Sequence, residues 1–103
     1  MANPVNVKWQ GPSTYTDGVA YTQTDHGGYD IELNGVVLVS VPFAWAATAQ
    51  YSYPVANLTN LRQGNNSLRV RTVAASGQVS NWTAPVTFPY LSIPQAPTNL
   101  VVV

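Results

Sequence analysis

Chemistry in this chain would have to come from very few side chains. Its 103 residues include one His, four acidic and four basic residues, and no Cys. The histidine, His26, stands in Asp25-His26-Gly27-Gly28, where the glycine pair reads as a loop and the ring as solvated. A nucleophilic triad needs Ser, His and an acid that meet in space, and Asp25 and His26 are only sequence neighbours. No Gly-x-Ser-x-Gly, HExxH or phosphate-cradling glycine loop occurs. Carboxylates that could be paired for glycoside hydrolysis are Asp17, Asp25, Asp30 and Glu32. A calcium site would draw on Asp17 and Asp25, but it wants six or more oxygens, and Asp17-Gly18 is ordinary turn chemistry. The expectation is a protein that is not an enzyme, with no catalytic, cofactor or metal site.

The elements that would carry a site are short strands. At 11.1 kDa the chain is one domain, residues 1–103, with no room for a second core. Equal numbers of acidic and basic residues give zero formal net charge, which disfavours nucleic acid because there is no basic surplus to neutralise phosphates. The longest apolar run is far short of a membrane span, and the N-terminus lacks a signal-peptide core. Three Asn-x-Ser/Thr sequons, at Asn57, Asn65 and Asn81, would matter only on a eukaryotic secretory route.

Valine is the commonest residue, and with ten Thr and six Tyr it favours a pleated surface. Eight Pro and seven Gly cut the chain into short runs. Residues 5–9 alternate, with Val5, Val7 and Trp9 on one face. Residues 28–33 place Tyr29, Ile31 and Leu33 on one side, and Asp30 and Glu32 on the other. Asn34-Gly35 is a strong hairpin signal, because both residues tolerate positive φ. It sets Leu33 opposite Val36 and Ile31 opposite Leu38 on a returning strand over 36–41. Residues 51–58 read as a short strand that Pro54 demotes to an edge or a bulge. Residues 61–66 read as a turn, 67–74 as a strand and 79–88 as its return. The spacing predicts an all-β fold, an antiparallel sandwich.

Three stretches carry a family resemblance: VKWQGPSTYTDG with Trp9, GYDIELNG, and LRQGNNSLRVRTVAASGQVSNWTAPVTF. In order and spacing they resemble a fibronectin type III-like (Ig-like) β-sandwich of about seven strands. The resemblance implies that Asp30 and Glu32 lie beside Arg69 and Arg71 as a cross-strand charge lattice. It departs at a tyrosine corner, where Ser67 or Leu68 stands. It also departs at the N-terminus, which begins on the second strand. The missing first strand appears at the other end, in Pro94-Gln95-Ala96-Pro97-Thr98-Asn99-Leu100-Val101-Val102-Val103. The main body is then 5–91, and 92–103 is the relocated strand. That strand closes on its own domain (a circular permutation), exchanges between copies, or belongs to a following domain. Burying Leu100 and Val102 would contribute roughly 1.5–3 kcal/mol each. Pairing is therefore expected, and deleting 97–103 should destabilise the domain.

Two features exceed what a sandwich needs. If Val36 and Leu38 point inward, Val37, Val39 and Val41 form an outward stripe on an edge strand, unless the 43–50 loop covers it or a bulge reverses the register. The loop itself carries Phe43 and Trp45, aromatic anchors that suit either a protein or a sugar. The candidate interface is Val37, Val39, Val41, Phe43, Trp45, Leu100 and Val102. The resemblance extends to small stand-alone proteins of bacteriophage virions. It implies a structural or adhesion module, a capsid decoration or fibre protein docked on a capsid or tail protein or on its own copies. The alternative is an accessory spacer or polysaccharide-binding module of a secreted bacterial enzyme or adhesin.

Overall fold

The computed structural model describes residues 3–41, 44–46 and 49–103, without the side chains of residues 39–41. Among these, six strands are present: β1 (Asn6–Gln10), β2 (His26–Leu33), β3 (Val36–Val41), β4 (Gln50–Pro54), β5 (Gly64–Ala74) and β6 (Val86–Tyr90). β1 and β4 make a two-stranded sheet, and the order β3-β2-β5-β6 makes a four-stranded one. Every pairing is antiparallel. The molecule is an all-β sandwich, compatible with an Ig-like fold.

The alternation in the sequence builds the core directly. Tyr29, Ile31 and Leu33 of β2 and Leu68 and Val70 of β5 are buried, and Tyr51, Val55 and Leu58 meet them from the smaller sheet and the segment after it. Val7 and Trp9 of β1 pack against this cluster from its margin. Asn34 and Gly35 both have positive φ, 52° and 87°, as a type I′ turn requires. Leu33 registers opposite Val36, as the two-residue loop dictates.

Beyond the turn the register changes. A bulge between Ile31 and Glu32 sets Ile31 opposite Val39 rather than Leu38, and Tyr29 opposite Val41. Val37 registers opposite Glu32. One extra residue on the bulged strand reverses its alternation. Val37 thus registers beside Glu32, while the backbone of Val39 and Val41 registers opposite Ile31 and Tyr29; the side chains of Val39 and Val41 lie outside the described residues.

Two other elements differ from the sequence reading. β5 begins at Gly64, so residues 64–66, expected as turn, belong to the strand. The return strand is regular only over Val86–Tyr90. Before it, Val79 makes one bridge to Val73, and Ser80 and Thr83 bond β5 partly through their hydroxyls. Those two hydroxyls accept from the N–H groups of Thr72 and Val70, at 2.9 and 3.1 Å, and replace part of a ladder.

The C-terminal segment does not close on its own domain. Residues 91–103 form no strand and are exposed throughout, Leu100 at 94% and Val102 at 99%. The molecule measures 70 × 24 × 23 Å, with a radius of gyration of 17.6 Å. A compact chain of this length has a radius near ~13 Å. The eleven-residue β5 spans about 36 Å, so the rest of the long dimension is tail. The expected burial of Leu100 and Val102 is absent within one chain, because the tail leaves the sandwich along its long axis.

Candidate functional site

The polar residues singled out for chemistry are held in structural roles. β2 and β5 register Asp30 against Arg71 and Glu32 against Arg69. Arg69 donates to both oxygens of Glu32, from Nε at 2.6 Å and Nη2 at 3.0 Å. Arg71 Nε donates to Asp30 Oδ2 at 2.8 Å. Trp82 covers both guanidinium groups, with centroid distances of 4.9 Å to Arg69 and 4.4 Å to Arg71. These bonds hold the Glu32 carboxyl below the usual carboxylate range, chiefly through the hydrogen bond from Arg69. The lattice that the resemblance implied is present, with an aromatic lid that the sequence did not announce.

His26 is not a solvated loop tip. It opens β2 and packs among aromatic rings, 5.5 Å from Trp45 and 5.8 Å from both Tyr29 and Tyr51. Trp9 continues the cluster, edge-on to Tyr29 at 5.3 Å and stacked on Tyr51 at 6.1 Å. Burial pushes the Tyr29 phenol upward, helped by the neighbouring Tyr51. Trp45 is thus turned onto the sandwich and half-buried rather than presented as a platform.

Asp17 and Asp25 serve local turns. Asp17 Oδ1 accepts from the Val19 N–H, and Asp25 Oδ2 accepts from the N–H and hydroxyl of Thr22 at 2.8 and 3.0 Å. The Thr22 N–H bond is the chief reason the Asp25 carboxyl lies below its ordinary value. Among the described residues no group of three His, Asp or Glu is placed to hold a metal ion.

What remains open is an edge and a groove. Among the described residues, β1 has β4 on one side only. Val5 accepts from Val55 and Gly11 donates to Ala49, so the odd-numbered residues of β1 face β4. The N–H and C=O groups of Asn6, Lys8 and Gln10 accordingly point away from β4, to a side that no strand among the described residues fills. Beside that edge the sheets part into a groove of about 390 Å³, lined by Val7, Trp9, Leu68, Val70, Val86 and Phe88 among others. Val86 is 63% exposed at its mouth.

The candidate interface residues divide in three. Leu100 and Val102 are exposed on the tail, and Val37 is 44% exposed on β3. Phe43, and the side chains of Val39 and Val41, lie outside the described residues. Trp45 belongs to the aromatic cluster. The sequence implied a missing first strand but not the groove itself, whose lining residues come from three separate strands, β1, β5 and β6. A second cleft, of about 400 Å³, lies between the 12–21 segment and residues 72–80, lined by Tyr15, Tyr21 and several Thr. Comparison with family models, with curated proteins and with solved structures finds no match.

Proposed function

We propose that this chain is a non-enzymatic structural or adhesion module. In its most specific form it is a bacteriophage virion decoration or fibre protein that docks on a capsid or tail protein. The observation that carries this reading is the exposed apolar tail, with Ile93 75% exposed, Leu100 94%, Val101 71% and Val102 99%. Proteins in solution rarely leave so many large apolar side chains uncovered, and exposed apolar surface of this kind marks protein contacts. The sequence resemblance to a fibronectin type III-like domain adds support, and the antiparallel sheets of two and four strands are compatible with an Ig-like fold. The roles of Asp30, Glu32 and His26 support a non-catalytic reading, because ion pairs and ring packing already engage them. The inward-turned Trp45 weighs against a sugar-stacking loop.

The test is cosedimentation of the intact chain with capsids and tails assembled from the genes beside its own. Saturable binding at a stoichiometry set by particle symmetry is expected. Retention on insoluble polysaccharide, with none on the particles, would overturn the reading in favour of an accessory carbohydrate module.

A further inference from the structure

The open edge of β1 and the exposed tail are complementary. The edge offers the N–H and C=O groups of Asn6, Lys8 and Gln10 to an incoming strand. The groove beneath takes apolar side chains between the sheets. The tail ends in Leu100-Val101-Val102-Val103, a β-branched run with alternate side chains for such a groove and none of them buried in its own chain.

Direction decides which chain supplies the strand. Asn3 Nδ2 donates to the Leu91 carbonyl at 2.9 Å, and the Leu91 N–H donates to Asn3 Oδ1 at 2.7 Å. The start of β1 and the exit of β6 are therefore fastened at one pole. The Ser92 N–H is tied there as well, by Gln63 Oε1 at 2.6 Å. A strand antiparallel to β1 must enter at the opposite pole, beside Gln10. To reach it within one chain, residues 93–99 would span the length from Asn3 to Gln10, about 23 Å. The eight steps from Ser92 to Leu100, pulled straight, cover about 28 Å, which leaves only about 5 Å for turning round the pole. The structure instead sends the tail away from its own body, with Pro94 and Pro97 favouring an extended joint. From that pole it points toward the entry pole of a copy placed in line.

We infer that residues 100–103 of one copy form the third strand of the β1–β4 sheet of a second copy, antiparallel to β1, so that chains join head to tail. Leu100 and Val102 fill the groove over Val7, Trp9, Val86 and Phe88. This rests on the reading of the chain as an assembly module and names its partner, a second copy.

Light scattering during size exclusion, across a range of concentrations of the full chain, tests it. The expected result is a mass that grows with concentration in multiples of 11.1 kDa. The double variant Leu100→Asp/Val102→Asp, altered only at exposed positions, should weaken association by about 100-fold or more. Val86→Arg, which blocks the groove mouth, should do the same. An equimolar mixture of the two should form a one-to-one pair, because each retains the half the other lacks. A wild-type chain of 11.1 kDa at every concentration would overturn the inference, whether its tail exchanges amide hydrogens freely or is protected by self-closure. So would an oligomer that survives the tail substitutions. A chain that stays monomeric yet cosediments with particles would remove strand exchange and leave the assembly reading standing. A chain that polymerises but binds no particle would do the reverse.

Discussion

Asn66 is the residue whose loss should be felt most for its size. It is fully buried, at 0% exposure, and its side chain makes four hydrogen bonds. Oδ1 accepts from the Arg62 N–H and from Asn34 Nδ2, both at 3.0 Å. Nδ2 donates to the carbonyls of Arg62 at 2.9 Å and Gly64 at 3.1 Å. The side chain thereby fastens the turn before β5 to the β2–β3 hairpin. Each such bond is worth about 0.5–1.5 kcal/mol net. Arg62 and Gly64 are exposed and their freed groups can rehydrate, so Asn66→Ala should cost about 2–4 kcal/mol rather than the full sum. With a urea slope near ~1–1.5 kcal/mol per molar, the midpoint should fall by about 2 M, read by fluorescence of the three tryptophans. Asn66→Asp adds a signed check. It keeps the shape but aims a carboxylate at two carbonyls, which raises its folded pKa above the unfolded ~3.9. The folded state then holds the extra proton, and stability should fall as pH rises above about 3.9. A loss below about 0.5 kcal/mol in Asn66→Ala, or an Asp variant that gains stability with pH, would refute the assignment.

Gly27→Ala should lower Tm by about 10 °C or more, because a Cβ there would lie 2.6 Å from the Val73 carbonyl oxygen and 2.7 Å from Ala74 backbone atoms; differential scanning calorimetry reads it. Trp82→Ala removes the ring over Arg69 and Arg71 and should cost about 1 kcal/mol in urea titration, with the sandwich intact by circular dichroism. The lowered pKa of Glu32 contributes stability that is present above about 4.3 and lost as pH falls through the folded value. Glu32→Gln should therefore flatten the acid limb of the stability profile, measured by urea midpoints at successive pH values. Removing residues 97–103 should leave unfolding of the monomeric chain unchanged within ~0.5 kcal/mol, at concentrations low enough to keep chains apart. This reverses what the sequence alone suggests, since the tail buries nothing in its own domain.

Local signals carried most of the fold into the sequence. The 28–33 alternation and the Asn34-Gly35 turn specify β2 and its hairpin without reference to anything distant. What escaped depends on contacts across strands. The bulge that sets Ile31 opposite Val39 arises from β2–β3 packing, and no residue type near 37–39 announces it. Residues 79–88 read as one returning strand, yet it is regular only over Val86–Tyr90, and Trp82 is drawn over two arginines of β5. His26 reads as solvated because Gly27-Gly28 follows it, whereas Gly27 admits close approach to β5, and the ring falls among aromatics far along the chain. At the candidate site, the apolar character of the tail was legible and its direction was not. Direction is set by the Asn3–Leu91 bonds between residues at opposite ends of the sequence.

The symmetry of the proposed contact bears on what it can build. A groove on one copy and a tail from another are different surfaces, so the contact is heterologous. Repeated with a fixed joint, it yields an open filament unless the rotation closes a ring. The joint here is residues 93–99, with Pro94 and Pro97 favouring an extended course, and the tail leaves along the long axis of the sandwich. Successive copies are thus set in line, the geometry least suited to closing small rings. Every such filament keeps one unfilled groove at one end and one unpaired tail at the other. Those two ends are chemically distinct. A docking protein with a spare β-branched strand would recognise the first, and one with an open sheet edge the second. An assembly built this way has polarity from its first joint onward, and the two variants Val86→Arg and Leu100→Asp/Val102→Asp would cap it from opposite ends.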